Sequence, residues 1–209
     1  TVTLVLYDKD TEGNHKDFAH VLGDFNNWEL TNKEDCQMCR DDAAGCWWIT
    51  LNNLNPTKEY AFQYYVGTKG GETIRLADAY CEKILDPEHD DDIPASAYPD
   101  NKTYPKGGKG IVSVFKIQRD NYAWTVSDFK MQHPKQPVIY EMHLRDFTTG
   151  RTINSALQKL DYLKDMGVDA IELMPVQEFD GNDSWGYNPC FFFALDKAYG
   201  TPKMYKDFI

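Results

Sequence analysis

Three groups of residues in this sequence could do chemistry: a cysteine trio, an acidic run and a set of scattered carboxylates. Cys36 and Cys39 have the spacing of a zinc-ligand pair, with Cys46 as a third thiolate. No second close pair follows, and His15 and His20 lie far upstream, so a small reduced loop is the favoured reading. Asp86, Glu88 and the run Asp90-Asp91-Asp92 offer hard oxygen ligands. They lack the spaced ligands and turn glycine of a calcium loop, and read as a solvated loop. Asp180, Asn182 and Asp183 alternate around Gly181 and come nearer to a cation site, but a turn explains them as well. No metal ligand is assigned. Glu141, Asp146, Glu172, Glu178 and Asp183 are the carboxylates that could exchange protons with a substrate. Glu141 and Glu172 fall in or near predicted strands and read as paired structural groups, and no catalytic residue is assigned among the five. The remaining signal is aromatic: Trp28, Trp47 and Trp48 in the first half, and Trp185, Tyr187 and Tyr199 in the last thirty residues.

The elements that must position these groups fall into two patterns. The first ~120 residues read as all-β. Thr1 to Tyr7 alternates with period two, Phe18 to Leu22 is a short strand, and Gly45 to Leu51 is another. Trp47 and Trp48 are neighbours on that strand and must point to opposite faces, one into the core. Tyr60 to Val66 suits a strand buried on both faces, Gly70-Gly71 makes a hairpin turn, and Thr73 to Leu76 returns. Asp86 to Gly110, rich in Asp, Pro and Gly, is a long irregular loop or linker, and Ile111 to Ile117 is a last strand. Short strands with turn signals between them predict a β-sandwich.

From Val138 the pattern changes. Val138 to Leu144 is a strand, and Ile153, Ala156, Leu157, Leu160, Leu163 and Met166 fall at helical spacing. Thr152 or Asn154 can cap that helix, and Gly167 sits where it should end. Val168 to Met174 is a second strand, and another helix begins near Thr201-Pro202. Strand, helix, strand is a right-handed βαβ unit. One such unit leaves hydrophobic faces and edges bare, so this portion is expected to lean on missing chain, on the first domain or on another copy.

Composition narrows the partners. With 42% hydrophobic residues the chain can bury one good core and start a second. The net charge of -11 argues against nucleic acid and against an anionic membrane surface, while a neutral polymer is compatible with it. No stretch approaches the ~20 apolar residues of a membrane span. Five cysteines with no regular framework argue against a disulfide scaffold, which favours a cytoplasmic over a periplasmic setting. The chain opens inside an apolar alternation, which suggests that the natural N-terminus has been removed.

Several segments resemble the α-amylase family, especially its branching-enzyme, pullulanase and isoamylase side. VIYEMHLRDFT (Val138 to Thr148) resembles the first strand of the (β/α)₈ TIM barrel in that family. GVDAIELMPVQEFDGNDSWGYNPCFFFALDKAYGTP (Gly167 to Pro202) resembles its second strand and the long loop after it. GDFNNW (Gly23 to Trp28), YAFQYYV (Tyr60 to Val66), LADAY and ILDP resemble the starch-module sandwich that precedes the barrel, with Ala79 in place of the usual proline. The resemblance implies a multi-domain chain: an immunoglobulin-like β-sandwich over 1–120, a connection over 121–137, and the N-terminal part of the barrel over 138–209.

It further implies a retaining enzyme acting on α-glucans (starch, glycogen, pullulan), by hydrolysis or by glucan transfer. Its carboxylate pair, about 5–5.5 Å apart, is expected on later strands, beyond residue 209. The chain alone is then expected to be inactive and to need no cofactor, calcium being compatible with the full-length enzyme. The expected sugar contacts are Tyr187, Asn188, Trp185 and Trp28. By resemblance Tyr187 lines the subsite of the reacting glucose, where an aromatic face stacks on sugar C–H bonds. Asn188 either binds a sugar hydroxyl or caps a turn, and Trp185 is weighed against loop packing. Trp28 matches the stacking tryptophan of glycogen-binding modules. Its second platform residue is missing and Gln63 stands near the lysine position, so packing is weighed against binding. The alternative to an enzyme portion is a non-catalytic carbohydrate-binding or structural module.

Overall fold

The computed structural model describes residues 1–209 except 11, 32, 127, 132 and 134, three of which fall in the expected connection. Two compact units emerge: Thr1–Glu88 with Lys102–Arg119, and His89–Asn101 with Asp120–Ile209.

In chain order the first unit holds β1 (Val2–Tyr7), β2 (Phe18–Gly23), α1 (Lys33–Cys36), β3 (Cys39–Asp41), β4 (Cys46–Leu51), β5 (Glu59–Gly67), β6 (Thr73–Leu76), β7 (Lys83–Leu85) and β8 (Val112–Lys116). Antiparallel β1, β4 and β3 make one sheet, with Val2 opposite Leu51. The other sheet is organised around β5, which pairs with β2 along one edge and with β8 and β6 along the other. β7 extends that sheet from β8. This central place explains the aromatic run of β5, because Tyr60, Phe62 and Tyr64 are all buried.

One apolar cluster serves both sheets. Leu4, Trp47, Ile49 and Leu51 from the first meet Val21, Phe62, Tyr64 and Val66 from the second. Alternation delivers them: along β1, Leu4 is buried while Val5 and Tyr7 are exposed, and on β4 Trp47 is buried while Trp48 faces outward. The indole N–H of Trp47 donates to Asp8 Oδ1 at 2.7 Å, so the one polar atom of that ring is satisfied inside the core. The Gly70-Gly71 turn closes the β5–β6 hairpin, where the Thr68 N–H donates to the Glu72 carbonyl at 2.8 Å.

In the second unit β9 (Ile139–Met142) and β10 (Ala170–Leu173) run parallel, Ile139 beside Ala170, with α2 (Leu144–Phe147), α3 (Ile153–Leu157) and α4 (Leu160–Asp165) between them. Two details differ from the sequence pattern. The first strand ends at Met142, and α2 follows at once. The helix expected from Ile153 to Met166 is broken in two, because the Lys159 N–H bonds back to the Ala156 carbonyl (2.9 Å), a tight i−3 turn that ends α3. Thr152 is the cap, in a reciprocal capping box with Ser155, and Gly167 follows α4 with φ +86°. The stretch after β10 is more ordered than a long loop: β11 (Gln177–Phe179) and β12 (Pro189–Leu195) form an antiparallel hairpin with an irregular register on each side of Glu178. α5 (Pro202–Phe208) begins as expected, with the Thr201 hydroxyl accepting from the Met204 N–H at 3.3 Å and proline in its first turn.

Met142, Leu144, Ile153, Ala156, Leu163, Phe179, Tyr199 and Tyr205 form the core of this unit. Val138 and Ile139 beside the strand pair, and Phe192 and Phe193 on β12, remain more than half exposed. Among the described residues no helix is long and apolar enough to cross a membrane.

Candidate functional site

The loop between β11 and β12 carries Trp185, Tyr187 and Asn188. Its position is set from below by the residues that follow β9. The Ser184 carbonyl lies 3.1 Å from His143 Nε2 and accepts from the Tyr199 hydroxyl at 3.1 Å. Asp183 is paired with Arg145, and Arg151 stands 3.5 Å from the same carboxylate oxygen. Asp146 accepts from Arg145 Nε at 2.9 Å and lies 2.9 Å from His143 Nδ1. Gly186 is the pivot: at φ +84° a Cβ would meet the Pro175 carbonyl oxygen at 2.3 Å, so only glycine lets the loop lie this close to the end of β10. The Gly186 N–H donates to Ser184 Oγ at 3.0 Å, and Ser184 Oγ is also bonded to Asn188 Oδ1. Asn188 therefore holds the turn with its carbonyl oxygen.

The rings are left outside this clamp. Trp185 is 61% and Tyr187 64% exposed, and Asn188 is exposed beside them. The Trp185 ring neighbours that of His143, at 6.4 Å between ring centroids. Exposed aromatic faces on a fixed backbone can stack on sugar rings at small entropic cost.

The carboxylates nearby are not poised as acids. Arg145, followed by His143, holds Asp146 well below the usual carboxylate range, and Arg145 likewise lowers Asp183. Both are fixed as anions. Glu141 and Glu172 stand abreast in the β9–β10 register and are exposed. Glu178 and Asp196 have the opposite character: burial pushes Glu178 up to about 8 and Asp196 up to about 6. Both are buried, however, at 6% and 1% exposure, out of reach of a polymer. Glu178 Oε1 accepts from Lys197 Nζ at 2.6 Å, and Asp90 Oδ1 lies 3.2 Å from the same ammonium. Asp91 and Asp92 are exposed as the acidic run implied, but Asp90 is not a solvated residue: its side chain is 12% exposed and paired to a lysine that sequence reading did not single out.

A second candidate site lies wholly in the first unit. Trp28 has φ +63° and donates its indole N–H to Asp24 Oδ1 at 3.0 Å. Burial opposes charge on Asp24, yet the Ala61 N–H, the Lys102 ammonium and that indole hold its carboxyl below the ordinary value. Gly107 is required behind the ring, since a Cβ there would meet Trp28 Cβ at 2.3 Å. So Trp28 packs on one side. On the other it borders an open pocket of about 650 Å³, together with Tyr65, Arg75 and Lys109. Sequence reading missed Tyr65 and Arg75, which the β5–β6 pairing brings opposite each other, Arg75 5.9 Å from the Tyr65 ring. Gln63 does not serve this pocket. It is buried and donates to the Lys109 and Ile111 carbonyls at 2.7 and 2.9 Å.

Cys36 is buried and Cys39 exposed, and among the described residues no group of three His, Cys, Asp or Glu side chains is arranged to hold a metal ion. Asn182 and Asp183 are committed elsewhere, Asn182 Nδ2 donating to the His89 carbonyl at 2.7 Å.

Comparison with known proteins gives the fold first. A solved structure from Salmonella typhimurium, provisionally described as an alpha amylase, matches 99% of this chain and 28% of its own with a TM-score of 0.65 at 23% identity. No protein-family model matches. Malto-oligosyltrehalose trehalohydrolase of Saccharolobus solfataricus is 29% identical over 181 residues, 87% of this chain and 27% of that protein. The enzyme of the same name from Arthrobacter ramosus is 36% identical over 113 residues, 54% of this chain and 19% of its own. The 1,4-alpha-glucan branching enzyme GlgB 2 of Clostridium perfringens is 28% identical over 189 residues, 87% and 25% of the two. These relatives support the resemblance to the α-amylase family. The chain spans between 19% and 27% of their length.

Proposed function

We propose that this chain is the N-terminal portion of an α-glucan-active glycoside hydrolase or glucan transferase with a retaining mechanism. Residues 1–120 carry a β-sandwich, interrupted by the His89–Asn101 segment that groups with the second unit, 121–137 a connection and 138–209 the first part of a (β/α)₈ barrel. Hydrolysis and transfer differ only in whether water or a sugar hydroxyl reaches the covalent intermediate, and the relatives' names include both kinds of enzyme. The supporting observation is the clamped loop beyond β10, on the side of a barrel where active sites are built. There Trp185 and Tyr187 offer two exposed faces to a glucan, with Asn188 beside them. The chain supplies substrate contact, and the catalytic carboxylates are expected on later strands: Asp146 and Asp183 beside the loop are tied to Arg145, Glu141 and Glu172 stand abreast on the strand pair, and the two raised acids, Glu178 and Asp196, are buried.

The test is binding of maltoheptaose to the 209-residue chain, followed by titration calorimetry, with reducing-end release from amylose measured in parallel. Tyr187→Ala is expected to weaken binding by about tenfold, the scale of one lost stacking contact, with unfolding unchanged. No reducing ends are expected from the chain alone. Turnover at an enzymatic rate overturns the assignment. A second reading, a glycogen-binding module, draws on the pocket beside Trp28 and Tyr65. If Trp28→Ala abolishes binding while Tyr187→Ala does not, that reading replaces the first.

A further inference from the structure

The buried charge cluster of the second unit has no part in the proposed sugar contacts, and its geometry assigns it another task. Lys197 is the rare case of a lysine with a side chain only 1% exposed. Its ammonium donates to Glu178 on β11 at 2.6 Å and stands 3.2 Å from Asp90 Oδ1. Asp90 lies 107 residues upstream, in the His89–Asn101 segment, which interrupts the first unit between β7 and β8. Asp90 Oδ2 accepts from Asn101 Nδ2 at 3.2 Å, which ties the two ends of that segment together. The neighbouring His89 carbonyl accepts from the Asp92 N–H at 3.2 Å and from Asn182 Nδ2 at 2.7 Å. Asn182 belongs to the loop that presents Trp185 and Tyr187. A continuous polar path thus runs from Lys197 through Asp90 and His89 to Asn182.

We propose that Lys197 is a positioning residue: through Asp90 it fastens the His89–Asn101 segment, and that segment in turn holds Asn182 and sets the loop that carries Trp185 and Tyr187. The physical basis is the cost of leaving a buried charge unpaired. An ammonium held between Asp90 and Glu178 inside the unit keeps both in place, because releasing either leaves the other buried polar groups without a partner in a medium that solvates them poorly. The attachment is also directional, since a lysine reaching two segments fixes their spacing in a way that apolar packing does not. The role in sugar binding rests on the glucan reading above; the coupling of segment to loop does not.

The experiment is ¹⁵N relaxation on the 209-residue chain and its Asp90→Asn, Lys197→Met and Asn182→Ala variants. In Asp90→Asn, order parameters are expected to fall from about 0.85 to below about 0.6 in residues 89–101 and in 180–188, with β9 and β10 unchanged. Lys197→Met should do the same, and if it fails to fold, Asp90→Asn decides. Asn182→Ala should loosen 180–188 alone. The proposal is wrong if Asp90→Asn frees 89–101 and leaves 180–188 rigid, if it changes neither, or if every amide of the unit loosens together. Maltoheptaose affinity is read on the same samples. Absence of binding in the wild type sinks the glucan reading while the coupling stands, and a rigid loop in Asp90→Asn sinks the coupling while the glucan reading stands.

Discussion

The two units solve burial in opposite ways. The first closes two antiparallel sheets on one shared apolar cluster, with a smaller one around Ala61, Leu85, Val112 and Val114, and keeps its polar anchors, Asp8 and Asp24, engaged with N–H donors and cations. The second encloses Lys197, Glu178 and Asp196 at β11 and the end of β12, with Asp90 reaching the same ammonium, while leaving Val138, Ile139, Phe192 and Phe193 open. In the first unit burial is the source of stability. In the second, part of the interior is spent on fixing segments in register, and much apolar surface is held in the open.

The contrast can be broken first at its centre. Phe62 lies in the cluster shared by both sheets of the first unit, and Phe62→Ala should cost about 3–5 kcal/mol, read as a shift of the urea midpoint for the loss of β5 amide protection. An equal loss of amide protection in the second unit would show that the two do not fold independently.

A pH series sharpens the comparison because the signs are opposite. Asp24 is held below 3.8, so its contribution is present above that value and disappears as pH falls through its folded-state value. Glu178 and Asp196 are raised to about 8 and about 6, so the folded second unit binds more protons than the unfolded chain between about pH 4 and pH 8. Its stability should therefore fall as pH rises through that window. Hydrogen exchange of β10 and of β5 amides across pH 5 to 8 should show β10 losing protection, after correction for intrinsic rates, while β5 holds or gains, because burial holds His20, opposite Tyr65, below its ordinary value. Parallel behaviour of both would remove the buried-charge account. The smallest expected effect is at a helix end: Thr152→Ala removes the capping box of α3 and should cost about 1 kcal/mol, confined to the second unit in a thermal melt.

How much of this was legible in the sequence depended on how local each signal was. Period-two alternation gave β1, and the continuous aromatic run gave β5, since each strand's pattern reflects how many of its faces are covered. Thr152, Gly167 and Thr201-Pro202 marked helix ends because caps act within four residues. β3 and β7 escaped because three residues are too few to show a period. β12 escaped because Cys190-Phe191-Phe192-Phe193 does not alternate and its partner β11 is three residues with a bulged register. The aromatic loop was visible as Trp185, Tyr187 and Asn188, but its clamp was not, since His143, Arg145 and Tyr199 approach it from sequence distances of up to 41 residues. Lys197 was the hardest to see. A lysine in a sequence reads as surface, and only the fold supplies the aspartate that makes it interior.

The interruption of the first unit by His89–Asn101 has a consequence for synthesis on the ribosome. β7 and β8 can pair as soon as residue 116 has emerged, well before Lys197 exists. Until then Asp90 has no lysine to pair with, and the three successive aspartates are expected to keep that end of the segment in water. Of the three, only Asp90 is then taken up by Lys197, so the closing of this segment is expected to wait for residue 197 to be made.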